Sequence, residues 1–233
     1  LNFIYKKCYL ILCINSQNKA FFNKRLDNNK SIIFPNTTID FSKFFYKEKL
    51  NPKNQLINIK NDNKNILYVG RIEESKGIIF LLEALSAIQY PKFNLILVGK
   101  NNLNHKIIKK YESIPIFFHD EVKIEKLRNF YSLADIFIFP SLEDTWGMVI
   151  NEVFSYDCVV ICSKYAGCYP DLANEENSLC FDPKNLNDLT TSIKNGLENK
   201  EKYIYRDKKD KKLNEFSLNK QIEIFDGAIS KFF

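Results

Sequence analysis

No G-x-G-x-x-G and no G-x-x-x-x-G-K-[ST] occurs in the 233 residues, which removes the dinucleotide fingerprint and the P-loop. Glycine is scarce, seven residues with no two adjacent, so phosphate recognition would have to use helix ends and side-chain cations. Only two histidines occur, His105 and His119. Neither has a nucleophile or a metal-ligand pattern nearby, no C-x-x-C is present, and no metal is expected. Of the six cysteines, Cys8, Cys13, Cys158, Cys162 and Cys180 sit in or beside apolar runs, which reads as free thiols filling a core. Near the start, the apolar stretch Tyr9–Ile14 follows Lys6 and Lys7; it is too short for a membrane span and lacks a small-residue cleavage site. Leu1, not Met, opens the chain. The chain therefore reads as cytoplasmic and incomplete at its N-terminus. Internal repeats and a basic-aromatic pattern are lacking too, so the net charge of +6 gives little support to nucleic-acid binding. It does allow weak peripheral attraction to an anionic inner membrane face.

What is present is a core and an alternation. Hydrophobic residues make up 45% of the chain, enough for a sizeable interior. Between residues 134 and 163 the chain reads ADIFIFPSLEDTWGMVINEVFSYDCVVICS: a buried strand, an acidic turn, a helix carrying Glu152, and a second buried strand. Ile136–Phe139 and Val159–Ile161 lack polar alternation, as parallel strands covered on both faces require. The pattern continues on either side, with strands at 66–69, 94–98, 116–118 and 178–181 and helices at 76–89, 103–111, 124–133, 148–156 and 186–197. This spacing implies an α/β fold with a doubly wound parallel sheet. In the first helix Ile78, Leu81, Leu82, Leu85 and Ile88 form one apolar stripe. Residues 1–45 add a strand (Leu10–Ile14), a short helix and a strand (Ile32–Phe34); 46–64 is a polar loop; 65–212 carries the alternation; and 213–233 closes with a helix. The run Lys200–Lys212 reads as a solvated linker.

Ligands in such a sheet bind beyond the carboxyl ends of the strands, and the notable polar residues fall there: Gly70-Arg71, Gly99-Lys100, His119, Glu143-Asp144 and Ser163–Cys168. Arg71 and Lys76 flank a turn that starts a helix, where a cation opposes the macrodipole unless an anion sits between them. A phosphate or diphosphate would resolve this, Arg gripping it with a planar fork; pairing of Arg71 with Glu73 or Glu74 would also suffice. Gly147 lets the chain turn into a helix whose free N–H groups face an anion. Glu152, among apolar neighbours, needs partners if buried; sugar hydroxyls or a backbone turn would serve. Asp144 or Thr145 would alternatively cap the following helix.

These residues occur in an order that resembles the donor-binding half of retaining GT-B glycosyltransferases, the large group that includes sucrose synthases and bacterial mannosyl- and glucosyltransferases. The landmarks are Phe34-Pro35-Asn36 to Asp40, Tyr68-Val69-Gly70-Arg71 with Lys76-Gly77, and Leu97-Val98-Gly99. Then come Tyr131 through Ala134-Asp135 to Pro140-Ser141, Asp144 to Glu152, Ala166-Gly167 to Asp171-Leu172, and Phe216-Ser217. The resemblance implies a Rossmann-like C-terminal half with remnants of a second, mostly missing N-terminal domain. Its co-substrate would be a nucleotide-diphosphate sugar, with no further cofactor, and its acceptor a glycan or lipid-linked molecule. By the same resemblance Gly70, Arg71 and Lys76 hold the diphosphate with N–H groups near Gly147, Met148 and Val149, and Glu152 holds the ribose. Asp144 and Glu143 lie where the transferred sugar is contacted, and His119 and Glu121 lie beside the base. Arg71, Lys76 and Asp144 would take part in catalysis, the two cations stabilising the departing diphosphate without a metal and Asp144 contacting the transferred sugar. Asp144 departs from the Glu of the family motif and reaches about 1.5 Å less, one carbon–carbon bond. A nucleotide-sugar-binding module without activity and a sugar-nucleotide epimerase of the same fold remain alternatives.

Overall fold

The computed structural model describes residues 2–26, 30–37, 63–88 and 93–230. Six strands form the main sheet: β3 (Lys64–Val69), β4 (Phe93–Val98), β5 (Ile116–His119), β6 (Ile136–Phe139), β7 (Val159–Ser163) and β8 (Leu179–Phe181). Every pairing in it is parallel, and the order is β5-β4-β3-β6-β7-β8. β3, β4, β6 and β7 bury nearly every residue, because helices cover both faces and leave no side for polar alternation. Since the chain runs from β3 towards one edge and from β6 towards the other, the loops leaving these two neighbours diverge. The crevice between them is the switch point of the topology, where open parallel sheets bind ligands.

The helices are α3 (Ile78–Ser86), α4 (His105–Lys109), α5 (Ile124–Leu133), α6 (Met148–Val153) and α7 (Leu186–Glu198). The apolar stripe expected on α3 is buried, with Ala84 added to it. Its N-terminus differs from expectation. A single 3₁₀ turn, Glu74–Lys76, precedes it, and Gly77 separates the two at φ +71°; Gln89 lies outside the described residues. Gly77 is needed for a second reason as well, because a Cβ there would stand 1.9 Å from the Pro140 carbonyl oxygen. The turn after β3 thus packs directly on the residue that follows β6.

Before this sheet lie α1 (Asn2–Lys7), β1 (Ile11–Cys13), α2 (Ser16–Asn23) and β2 (Ser31–Ile33), with β1 and β2 in a separate parallel pair. α1 was not signalled by periodicity; it is six residues long and mostly exposed. Asn15 caps α2 by accepting from the Asn18 N–H at 2.7 Å, and its Nδ2 donates to the Gly167 carbonyl at 2.9 Å. Asp40 and most of the polar segment 46–64 lie outside the described residues.

The charge run at 200–212 is not a solvated linker. It folds as α8 (Lys200–Tyr203) and α9 (Arg206–Glu215), and the final helix, α10 (Leu218–Ile229), is a separate element capped by Ser217. Lys209 is completely buried, its Nζ donating to the carbonyls of Tyr156 and Cys158 at 3.0 Å each. Composition misleads here because a lysine stem can pack as hydrocarbon while its ammonium satisfies carbonyls at the end of a neighbouring turn. Burial lowers its pKa.

Gly77→Ala is expected to destabilise the chain by at least about 2 kcal/mol, from positive φ plus the clash with Pro140. Thermal unfolding should register this as a fall in Tm of roughly 4–8 °C.

Candidate functional site

Lys76 leaves the turn after β3 and crosses the switch point. Its ammonium donates to the Glu143 carbonyl at 2.9 Å and pairs with Asp144 Oδ2 at 2.8 Å. Both side chains are largely shielded, 13% and 20% exposed, so this pair is screened less than a surface ion pair. The other Asp144 oxygen accepts from the Trp146 N–H at 3.1 Å. Asp144 therefore closes the acidic turn and holds Lys76, with both oxygens engaged. The anion demanded by a cation near the start of a helix is supplied here by the chain itself.

Arg71 follows β3 directly, and the Tyr68 hydroxyl donates to its carbonyl at 2.7 Å, which sets the turn. Its guanidinium is 59% exposed and pairs with Glu73 at 3.2 Å, the protein-internal alternative weighed from the sequence. Glu73 also accepts from Ser75 at 2.7 Å and Asn102 at 3.3 Å. The Ser75 hydroxyl foremost holds its carboxyl below the usual range, against the opposing effect of burial and with help from Asn102, Arg71 and Lys76. Burial pushes the Tyr68 phenol up, and the nearby Asp144 and Glu73 add to this while Arg71 opposes it. One buried phenol thus feels groups from the loops after both β3 and β6. Lys76 has three donors and spends two on the protein, leaving one for a ligand.

The acidic turn is anchored below by Trp146, which is 1% exposed. Its indole N–H donates to Asn151 at 2.8 Å, and its ring lies against Phe216 at 5.5 Å. The next loop is tied on by Gly167 N–H to the Asp144 carbonyl (2.9 Å) and Cys168 N–H to the Trp146 carbonyl (2.8 Å). That loop receives the N-terminal segment, Ser16 N–H donating to Asp171 at 2.6 Å. Gly147 stands at φ +95° before α6, a conformation that turns the chain sharply and that side chains rarely adopt. α6 is only six residues, shorter than its expected span to Tyr156. Met148 is exposed and Val149 half-buried at its start.

Glu152 lies further along α6, half-buried. Its partner is neither a backbone turn nor a cation: the Tyr131 hydroxyl from α5 donates to Oε2 at 2.6 Å. Burial raises the Glu152 pKa, and this hydrogen bond opposes the rise. Oε1 has no partner among the described residues. Periodicity along one helix could not reveal this pair, because its members come from two helices 21 positions apart.

The remaining expected residues are more dispersed. Gly70 immediately follows β3, its N–H bonded to the Val98 carbonyl at 2.9 Å. Glu143 is exposed with no side-chain partner among the described residues. His119 is the last residue of β5, not beyond it, and packs edge-on against Phe130 at 5.0 Å; burial lowers its pKa. β5 is two strand positions from β3, about 10 Å across the sheet, so His119 and the exposed Glu121 sit to one side of the Lys76–Asp144 pair. Among the described residues no group of three or more His, Cys, Asp and Glu side chains is placed to hold a metal, and no helix is long and apolar enough to cross a membrane.

Comparison with known proteins agrees with this architecture. The Salmonella typhimurium lipopolysaccharide 1,2-N-acetylglucosaminetransferase is 31% identical over 166 residues, covering 64% of this chain and 42% of that protein. The sucrose-phosphate synthase of Thermosynechococcus elongatus superposes with a TM-score of 0.82 at 22% identity, over 100% of this chain and 60% of that one. Anabaena HepE, solved in complex with UDP-glucose, gives 0.73 at 17% identity over 96% of this chain and 64% of its own. The chain spans about half the length of the curated relatives it matches. The sequence model of the family described as glycosyl transferases group 1 matches residues 51–214, well over half of the chain and nearly all of the main sheet with its crevice. On that match, the chain belongs to the glycosyl transferases group 1 family.

Proposed function

We propose that this chain is the donor-binding portion of a retaining GT-B glycosyltransferase, taking a sugar from a nucleotide-diphosphate sugar to a glycan or lipid-linked acceptor. The observation that carries the reading is the Lys76–Asp144 pair across the switch point, with the exposed Arg71 guanidinium on the same rim. In this reading Arg71 exchanges its Glu73 contact for phosphate oxygens, and Lys76 adds its third N–H. In the same reading the first N–H groups of α6, which lack acceptors within the helix, add donors to the phosphate. Because Asp144 has both oxygens occupied, it acts as the counter-ion that aims Lys76. Contact with the transferred sugar then falls to the exposed Glu143. Glu152 accepts ribose hydroxyls on Oε1, while His119 and Glu121 border the base. The UDP-glucose bound by Anabaena HepE and the sugar transfer named for the Salmonella relative support the substrate class.

The chemistry asked of these residues is electrostatic. The bond between the anomeric carbon and the diphosphate oxygen breaks, a bond from that carbon to the acceptor oxygen forms on the same face, and the acceptor proton passes to the departing phosphate. Negative charge grows on the diphosphate as this happens, and the two cations stabilise it, Lys76 already aimed by Asp144. The two-stranded sheet β1–β2, docked through Asn15 and Ser16, fits the tail of an acceptor-binding domain.

Calorimetric titration with UDP, GDP and ADP tests the assignment. At least one should bind, and Arg71→Ala and Lys76→Ala should each weaken it about 10- to 100-fold, the range for hydrogen bonds to charged groups; unchanged affinity in both variants refutes the diphosphate site. Glu152→Gln should weaken that ribonucleotide about 10-fold while leaving the 2′,3′-dideoxy analogue unaffected, and equal losses for the two would remove Glu152 from the ribose.

A further inference from the structure

We propose that Tyr131 is the positioning residue of the ribose site: its hydroxyl takes one oxygen of Glu152 and so presents the other, ionised and correctly turned, to the ligand. The inference rests on the reading of Glu152 given above. Its basis is geometric. The 2.6 Å contact is short for an O–H···O bond, as expected of a neutral donor to a carboxylate. Tyr131 is 1% exposed and its ring is wedged between Phe137 at 5.9 Å and Tyr156 at 5.3 Å. The hydroxyl therefore has a fixed origin. Glu152, on a short helix, has its side chain fixed by that one bond at Oε2, with Oε1 left over.

The arrangement also favours the ionised form of Glu152. A carboxylate half out of water tends to hold its proton, and a protonated Glu152 would offer a donor where two ribose hydroxyls need an acceptor. Burial raises its pKa, and the Tyr131 hydrogen bond draws it back. Tyr131 stays a donor because burial foremost, then the Glu152 charge, keep its own pKa well above the usual phenol value. The other groups around the pair do not titrate near neutrality. Tyr156, in the turn after α6, is pushed up to about 12 mainly by burial, with Arg128 of α5 opposing and Glu152 adding. Cys158, at the start of β7, is raised to about 11 mainly by burial, against the nearby Lys209 and Lys200. Burial thus moves Tyr156 and Cys158 away from neutrality and Glu152 towards it.

The test compares the full chain with its Tyr131→Phe variant, which keeps the ring and deletes only the hydroxyl. Each is titrated from pH 5.5 to 8.5 with whichever of UDP, GDP or ADP the parent binds, and with the 2′,3′-dideoxy form as the control that cancels ionisation of the phosphate. Affinity of the parent for the ribonucleotide should fall as pH drops through the Glu152 pKa, since protonation removes the acceptor. In Tyr131→Phe that fall should begin at higher pH, because the hydrogen bond that favours the ionised form is gone, and affinity should also be lower at pH 8.5, because Oε1 is no longer held in place, with the dideoxy control unmoved. In a Glu152→Gln background, Tyr131→Phe should change nothing further. Coincident pH profiles, or an equal loss in the Glu152→Gln background, overturn the inference while leaving the diphosphate site standing. If the parent binds none of the three diphosphates, it is the donor-binding reading that fails. Should Tyr131→Phe not fold, 3,5-difluorotyrosine placed at 131, a stronger donor, must move the profile in the opposite direction, and an unmoved profile is equally fatal.

Discussion

Two loops that the sheet topology sends apart are held together by one ion pair. The loop after β3 leads to one edge of the sheet and the loop after β6 to the other, and Lys76 with Asp144 spans the gap at 2.8 Å. Around this contact the neighbouring features fall into place. Gly77 packs on Pro140 because no side chain fits there, the Leu142 N–H bonds to the Ser75 carbonyl at 3.1 Å, and Trp146 nails the acidic turn into the core. A crevice at a switch point is a generic outcome of parallel sheets; its being lined by a restrained cation is particular to these residues.

The pair also sets the division of labour among the acids. Asp is one carbon–carbon bond shorter than Glu, and in this chain the shorter side chain is fully used within the protein, one oxygen on Lys76 and one on the Trp146 N–H. Glu143, one position earlier, stays exposed, while Glu152 keeps one oxygen open. Three carboxylates within ten positions therefore have three electrostatic situations: compensated by a cation, solvated, and half-desolvated against a phenol. Such separation of environments is how neighbouring acids acquire different tasks. In the proposed function the three tasks are aiming the lysine, meeting the sugar and holding the ribose.

Much of the fold could be read locally. α5 and β6 have the ends expected from the sequence, and β3, β4, β7 and β8 differ from it by one or two residues, because unbroken apolar runs and a stripe every three to four residues are local signals. The errors came where the signal was compositional. Lys200–Lys212 looked solvated by its charges, yet α9 buries Lys209 against two carbonyls. A single helix was expected from residue 214 to the end, but the chain stops at Phe216, whose ring Trp146 engages, and restarts at the Ser217 cap.

A parallel α/β sheet, the rim on which its polar residues would gather, and the family to which their order belongs were all legible along the chain, since each of these depends on spacing. Packing alone supplied the long-range partners, Asp144 for Lys76 and Tyr131 for Glu152. Hydrogen bonds and ion pairs act over about 3 Å. Whether side chains 68 or 21 positions apart come within that distance is set by how strands and helices pack, a quantity no local pattern carries.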